Sequence, residues 1–247
     1  MSAQRDPDGP LGEGRRRRVG PLLGVALLLG AGCAALGVRP TDPLSAEERN
    51  DLGVAYQARG ELDLAIREYR RALALRPGWP QALVNLGNAH LDRGEVEEAI
   101  TAYEQALAAA PEDPAILNNL AWALLQHPTR WPSAELLIRR ALARVPTPRA
   151  YYLDTLGVVH LRKGEATEAL STFREALGDP ALRDDPRTHG WILLHAGDAH
   201  RALGDEARAR ACYREALARD PDGPGGRLAR VRLGDAEGGV GPVAGVC

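Results

Sequence analysis

The sequence predicts an all-α chain, a solenoid of about five helix-turn-helix repeats over residues 46–221. Three observations predict it. A set of apolar and small residues recurs at a fixed interval. Glycine and proline fall at the same points of each copy, where helices must end. No run of useful length alternates apolar with polar residues as a half-buried strand does.

The first copy reads Leu52-Gly53, Tyr56, Ala65, Tyr69, Ala72 and Pro77. Thirty-four residues on, it returns as Leu86-Gly87, His90, Ala99, Tyr103, Ala106 and Pro111. Leu, the small residue and the aromatic share one face of a first helix, and Ala, Tyr and Ala share one face of a second. Gly53 and Ala72 are small, which lets the two helices approach closely. Pro77 stops the second helix, because an interior proline costs about 3 kcal/mol. The third copy carries Leu117, Leu120-Ala121, Leu124, Ala134, Ile138, Ala141 and Pro146, with one extra residue in the 126–132 turn. The fourth carries Leu153, Leu156-Gly157, His160, Ala169, Phe173 and Ala176, and ends near Pro180. The fifth carries Leu193, Gly197, His200, Ala209, Tyr213, Ala216 and Pro221. Residues 178–189, with Pro180, Asp184, Asp185 and Pro186, read as a longer surface loop. Gly60, Gly94, Gly164 and Gly204 fall in the turns inside four copies and supply left-handed caps.

This pattern resembles the tetratricopeptide repeat (TPR) family, whose period is about 34 residues. The resemblance covers about residues 46–221, in repeats 46–79, 80–113, 114–148, 150–183 and 190–223. It implies stacked helix pairs whose first helices line a concave surface, with a protein or extended peptide bound in that groove. Repeats fill most of the 247 residues, so no separate catalytic domain is expected.

Composition narrows the partners. A net charge of −2 argues against a dedicated nucleic-acid binder. No glycine-rich phosphate loop, nucleophile elbow or paired metal-ligand spacing occurs, so the sequence predicts no enzyme, no cofactor and no small-molecule substrate. His90, His160 and His200 stand in register, but successive repeats lie too far apart for one zinc, and packing histidines are expected. The only lysine is Lys163, which removes the lysine clamp by which co-chaperone TPR domains hold a terminal carboxylate. Three cysteines are too few and too scattered for a disulfide framework; Cys212 reads as a small packing residue and Cys247 as a free thiol.

The N-terminus reads as an export and anchoring device. Arg15 to Arg18 precede an uncharged apolar stretch over residues 19–38. Leu29-Gly30-Ala31-Gly32-Cys33 resembles the bacterial lipobox, although Gly30 stands where that motif prefers Leu. The resemblance implies a signal peptide over 1–32, a lipid on Cys33 and a tether over 33–45. An uncleaved transmembrane anchor is the alternative, since twenty apolar residues span a bilayer as a helix. Both place the repeats outside the cytoplasm. Ala34 after the cysteine resembles outer-membrane rather than inner-membrane sorting in a periplasm. Ser45 with Glu48 reads as a capping box opening the first helix.

All five asparagines, Asn50, Asn85, Asn88, Asn118 and Asn119, fall on first helices. Their amides suit either the backbone of a bound peptide or bridges between helices. Trp122, Tyr151 and Trp191 occupy groove-facing positions by helical spacing, and Asp154 and Asp198 add negative charge. The expected groove residues are Asn85, Asn88, Asn118, Asn119, Trp122, Asp154 and Trp191. Residues 222–247 read as a flexible tail, with Arg227–Leu233 supplying at most two helical turns and Leu228 and Val231 facing the stack. TPR lipoproteins of this size resemble pilotin-like factors of type IV pilus and secretin assembly, and the segment 117–122 resembles repeats of exopolysaccharide export. An adaptor for peptidoglycan enzymes is a further reading.

Overall fold

A computed structural model describes residues 44–145, 147 and 149–234. The arginine run, the apolar stretch, Cys33, most of the tether, Pro146 and residues 235–247 lie outside these. Eleven α-helices and no strands occur among the described residues. Five hairpins follow in order: α1 (Ala46–Ala58) with α2 (Leu62–Leu75), α3 (Pro80–Asp92) with α4 (Val96–Ala109), α5 (Pro114–Gln126) with α6 (Ala134–Leu142), α7 (Ala150–Lys163) with α8 (Ala166–Leu177), and α9 (Pro186–Ala202) with α10 (Glu206–Arg219). A last helix, α11 (Pro224–Gly234), follows.

Local chemistry accounts for the boundaries. Ser45 caps α1: its hydroxyl accepts from the Glu48 backbone N–H at 3.1 Å, and the Glu48 carboxylate accepts from the Ser45 N–H at 2.8 Å. Gly60, Gly94, Gly164 and Gly204 have φ of 75°, 81°, 80° and 77°, a region that a side chain makes costly. Pro80, Pro114, Pro186 and Pro224 begin helices, where a missing N–H is harmless.

Each hairpin closes around one plug. Tyr69, Tyr103, Phe173 and Tyr213 are wholly buried. A Cβ on the facing Gly53, Gly87, Gly157 or Gly197 would approach its aromatic ring within 2.5 Å or less. Hence the paired small and large residues. The third repeat has Ala121 instead of glycine, and its plug is correspondingly the slimmer Ile138.

Successive first helices touch one another, whereas successive second helices make no comparable contact. The stack therefore curves with α1, α3, α5, α7 and α9 on its inner face. Beside this lies a buried ion pair at the start of the stack: Arg49 reaches Glu68 at 2.6 Å, and Arg71 adds a second contact at 3.0 Å.

Two segments differ from the sequence reading. Residues 178–189 are not a long loop. Pro180–Asp184 form a 3-10 turn with Leu182 buried, and α9 starts at Pro186. Asp179 explains the order: one carboxylate oxygen accepts from the backbone N–H groups of Arg149 and Ala150 at 2.7 and 3.1 Å, and the other from Ala181 at 3.0 Å. Nor is the chain a flexible tail from residue 222. α11 packs on α9 and α10 with Gly225, Gly226 and Ala229 buried. Glycine at 225 lets its backbone approach Gly190 and Trp191 closely. Leu228 faces the stack as expected, but Val231 is 55% exposed. Cys212 is buried as expected and is also disulfide-bonded.

Candidate partner-binding groove

The inner face is built from equivalent positions of successive first helices. Three residues before each helix-contact Gly or Ala stand Asn50, Val84, Asn118, Asp154 and Leu194. Two residues before it stand Asp51, Asn85, Asn119, Thr155 and His195. Neighbouring repeats pair across these rows. Asn85 donates to the Asn50 carboxamide oxygen at 2.9 Å, with Gln81 donating to Asn85 at 3.2 Å. At the far end the same geometry joins Asp154 to His195 Nδ1 at 2.8 Å. An amide pair in repeats one and two has thus become a carboxylate–imidazole pair in repeats four and five.

Two of the other asparagines accept from neighbouring hydroxyls. Asn88 accepts from the Tyr103 plug at 2.6 Å, and Asn119 accepts from Tyr151 at 3.1 Å. Asn118 is wholly buried. Its carboxamide makes no hydrogen bond of regular geometry among the described residues, with the Tyr151 hydroxyl beside it. Asp198 accepts from the Tyr213 plug at 2.7 Å and from Arg232 of α11 at 3.2 Å. Several amides therefore hold helices together. Asn85 and Asn88 sit on α3, one repeat before Asn118, Asn119 and Trp122, and no asparagine lines the cleft to which the other expected residues contribute.

Trp122, Asp154 and Trp191 do converge. With Tyr151, Thr155, Arg187, Thr188 and His195 they line a cleft of about 240 Å³ on α5, α7 and α9. Three rings surround the buried His195: Trp191 stacks on it at 5.4 Å, Trp122 is tilted at 5.8 Å, and Phe173 lies behind at 6.1 Å. Burial lowers the His195 pKa, but the Asp154 carboxylate and its hydrogen bond outweigh this and hold it above 6.5. Tyr151 stands 47% exposed at the edge of the cleft.

His195 was absent from the expected groove residues. The signal for it was the repeat register, in which it occupies the row of Asn85 and Asn119. The histidines in the aromatic slot behave differently. His90 meets Glu95 at 2.6 Å and His160 meets Glu165 at 2.7 Å, each the glutamate of its own inner turn. Among the described residues no group of three or more His, Cys, Asp or Glu side chains could hold a metal ion. No helix among them is long and apolar enough to cross a membrane.

Tetratricopeptide-repeat profiles match residues 50–114, 84–147, 129–186 and 190–233. The chain belongs to the tetratricopeptide-repeat family, and is a helical-repeat scaffold for protein–protein interaction. No curated protein matches it. Among solved structures, it is similar to a thermophilic TPR protein of Thermus thermophilus at 25% identity and a TM-score of 0.63, over 77% of this chain and 98% of that one. It also shares its fold with PilW, a widely conserved type IV pilus biogenesis factor (18% identity, TM-score 0.62, 78% and 87% covered). Pseudomonas aeruginosa PilF is a third likeness (23% identity, TM-score 0.58, 77% and 83% covered).

Proposed function

We propose that this protein is a membrane-tethered, extracytoplasmic TPR scaffold that helps to assemble a cell-envelope machine. One observation carries the binding half of this reading. Trp122, Asp154 and Trp191, from three successive first helices, meet in one aromatic-walled cleft on the inner face. Rigid aromatic surface beside buried polar groups is what a peptide-binding site needs. The membrane half rests on the sequence alone: the basic run, the apolar stretch and Cys33 resemble a lipoprotein signal. The anchor is the lipid on Cys33 or an uncleaved helix, in a periplasm and facing the outer membrane. Among pathways, the fold likeness to a pilus biogenesis factor makes type IV pilus or secretin assembly the first to test. Polysaccharide export and a peptidoglycan-enzyme adaptor follow.

Affinity capture from intact membranes tests this. The full-length chain and a Trp122→Ala/Trp191→Ala variant are compared, with circular dichroism to check folding. Losing two central aromatics costs an interface about 2 kcal/mol or more, so the folded variant is expected to lose its partner. Full recovery by the folded variant would remove the cleft as the partner site. Recovery of the wild-type chain in the soluble cytoplasmic fraction would remove the tether.

A further inference from the structure

We propose that the cleft between α5, α7 and α9 receives a carboxylate carried beside a bulky apolar side chain on an extended peptide. This rests on the reading of the inner face as the partner surface, and adds the chemistry of what enters it. The argument starts from α9. Arg187, Trp191 and His195 are spaced four residues apart and so share one helix face. That face lines the cleft.

Two hydrogen-bond donors on it lack an acceptor. His195, which lines the cleft, spends Nδ1 on Asp154 and so has Nε2 as its remaining ring nitrogen. Nε2 makes no hydrogen bond among the described residues. The Arg187 guanidinium, exposed at the rim, makes no ion pair or hydrogen bond among them either. Asp154 is the acidic group in the cleft, and it is matched by His195. With the ring protonated, Arg187 is the uncompensated charge, and an anion is the complement. A cation would meet Arg187 and an imidazolium together. Indole faces of Trp122 and Trp191 then take the apolar side chain beside the carboxylate.

The ring's surroundings favour its charged form. It faces Asp154 from α7, Asp198 from its own helix and Arg232 from α11, with Trp122 and Phe173 contributing rings from α5 and α8. The net effect raises the ring's pKa from its ordinary 6.5, with the Asp154 carboxylate outweighing burial. Carboxylate binding requires that proton, and affinity is expected to fall as pH rises through the ring's titration.

The test uses the full-length chain in detergent and four short peptides: acetyl-Ala-Ala-Phe with a free C-terminus, the same peptide amidated, acetyl-Ala-Glu-Phe-amide and acetyl-Ala-Lys-Phe-amide. Binding is read from the Trp122 and Trp191 indole N–H resonances at pH 6 and pH 8. At least one carboxylate peptide is expected to bind about tenfold tighter than the neutral amide. Which of the two wins tells a chain terminus from an acidic side chain. The advantage is expected to shrink at pH 8 and in Arg187→Gln, an exposed change that leaves the fold alone. His195→Gln is the second variant. Equal binding of acid and amide, preference for the lysine peptide, or unmoved indole resonances with every probe would overturn the proposal. Partner capture that still depends on Trp122 would in that case leave the groove reading standing.

Discussion

Replacing Gly87 by alanine sets two opposed effects against each other. Alanine in a helix interior is favoured over glycine by about 1 kcal/mol. Here, however, the new Cβ would lie 2.5 Å from Tyr103 Cε1 and 2.8 Å from Cζ. Ordinary contact needs the ring to retreat by roughly 1 Å, since carbon atoms pack at about 3.5–4.0 Å. Tyr103 is 1% exposed and its hydroxyl is bonded to Asn88, so it has nowhere to go cheaply. Overpacking of this kind costs about 1–3 kcal/mol. The net expectation is a loss of about 1 kcal/mol, or roughly 2–4 °C in Tm for a domain of this size. A double-mutant cycle sharpens the result because the propensity gain cancels within it. Tyr103→Ile copies the slimmer plug of the third repeat, where Ala121 and Ile138 already coexist. Gly87→Ala in the Tyr103→Ile background is expected to cost nothing, giving a coupling of about 1–3 kcal/mol in urea unfolding. A coupling within about 0.5 kcal/mol of zero, with both single variants folded, would refute the plug argument and the register on which it stands.

Asp179→Ala is expected to cost about 1–2 kcal/mol, because one carboxylate caps both α7 and the Pro180–Asp184 turn. Asp179→Asn is expected to recover part of that loss in the same urea titration. The folded pKa of His195 lies above its ordinary 6.5, so the stability it adds is complete below about pH 6.5 and is lost as pH rises through the folded value. Melts from pH 6 to pH 9 are expected to fall for the wild type and to flatten in His195→Gln. NMR titration is expected to put His195 above 6.5 and His189, which burial and the nearby Arg219 push down, below it. Mass spectrometry is expected to find Cys33 as the lipidated first residue of the mature chain. Residues 1–32 still attached, or Cys33 in the disulfide with Cys212, would refute the lipid.

The hairpins were legible because packing in a solenoid is local and repeats. Gly53 and Tyr69 need each other, and the same need returns at Gly87 and Tyr103, at Gly157 and Phe173, and at Gly197 and Tyr213. Periodicity reads such a pair without knowing anything distant. The last helix escaped for the opposite reason. Pro224-Gly225-Gly226 looks like a linker in one dimension, since glycine is a poor helix former. Its use appears only when Gly190 arrives from another helix, so close that a Cβ at Gly225 would lie 3.2 Å from the Gly190 backbone. The same happened at Asp179, whose acceptors face backbone N–H groups thirty residues earlier in the chain.

Of the residues expected on the inner face, Trp122, Asp154 and Trp191 come together in one cleft, and His195 joins them unanticipated, for a physical reason. Trp122, Asp154 and Trp191 were found by asking which face of a helix each residue occupies, a question within one helix. His195 required asking which residue of the preceding repeat it meets, and only the register of two repeats answers that. Once the rows are aligned, Asn50 with Asn85 and Asp154 with His195 are one interaction written in two chemistries. The first is neutral at every ordinary pH and serves as a structural tie. The second titrates, sits among indole rings and belongs to the lining of a cleft. A repeat protein can thus convert a tie into a recognition site by changing two residues at fixed addresses, without altering the packing that builds the stack. Hence the chemistry gathers where α7 and α9 depart from the first three repeats, while each hairpin beneath keeps a small residue facing a buried apolar plug.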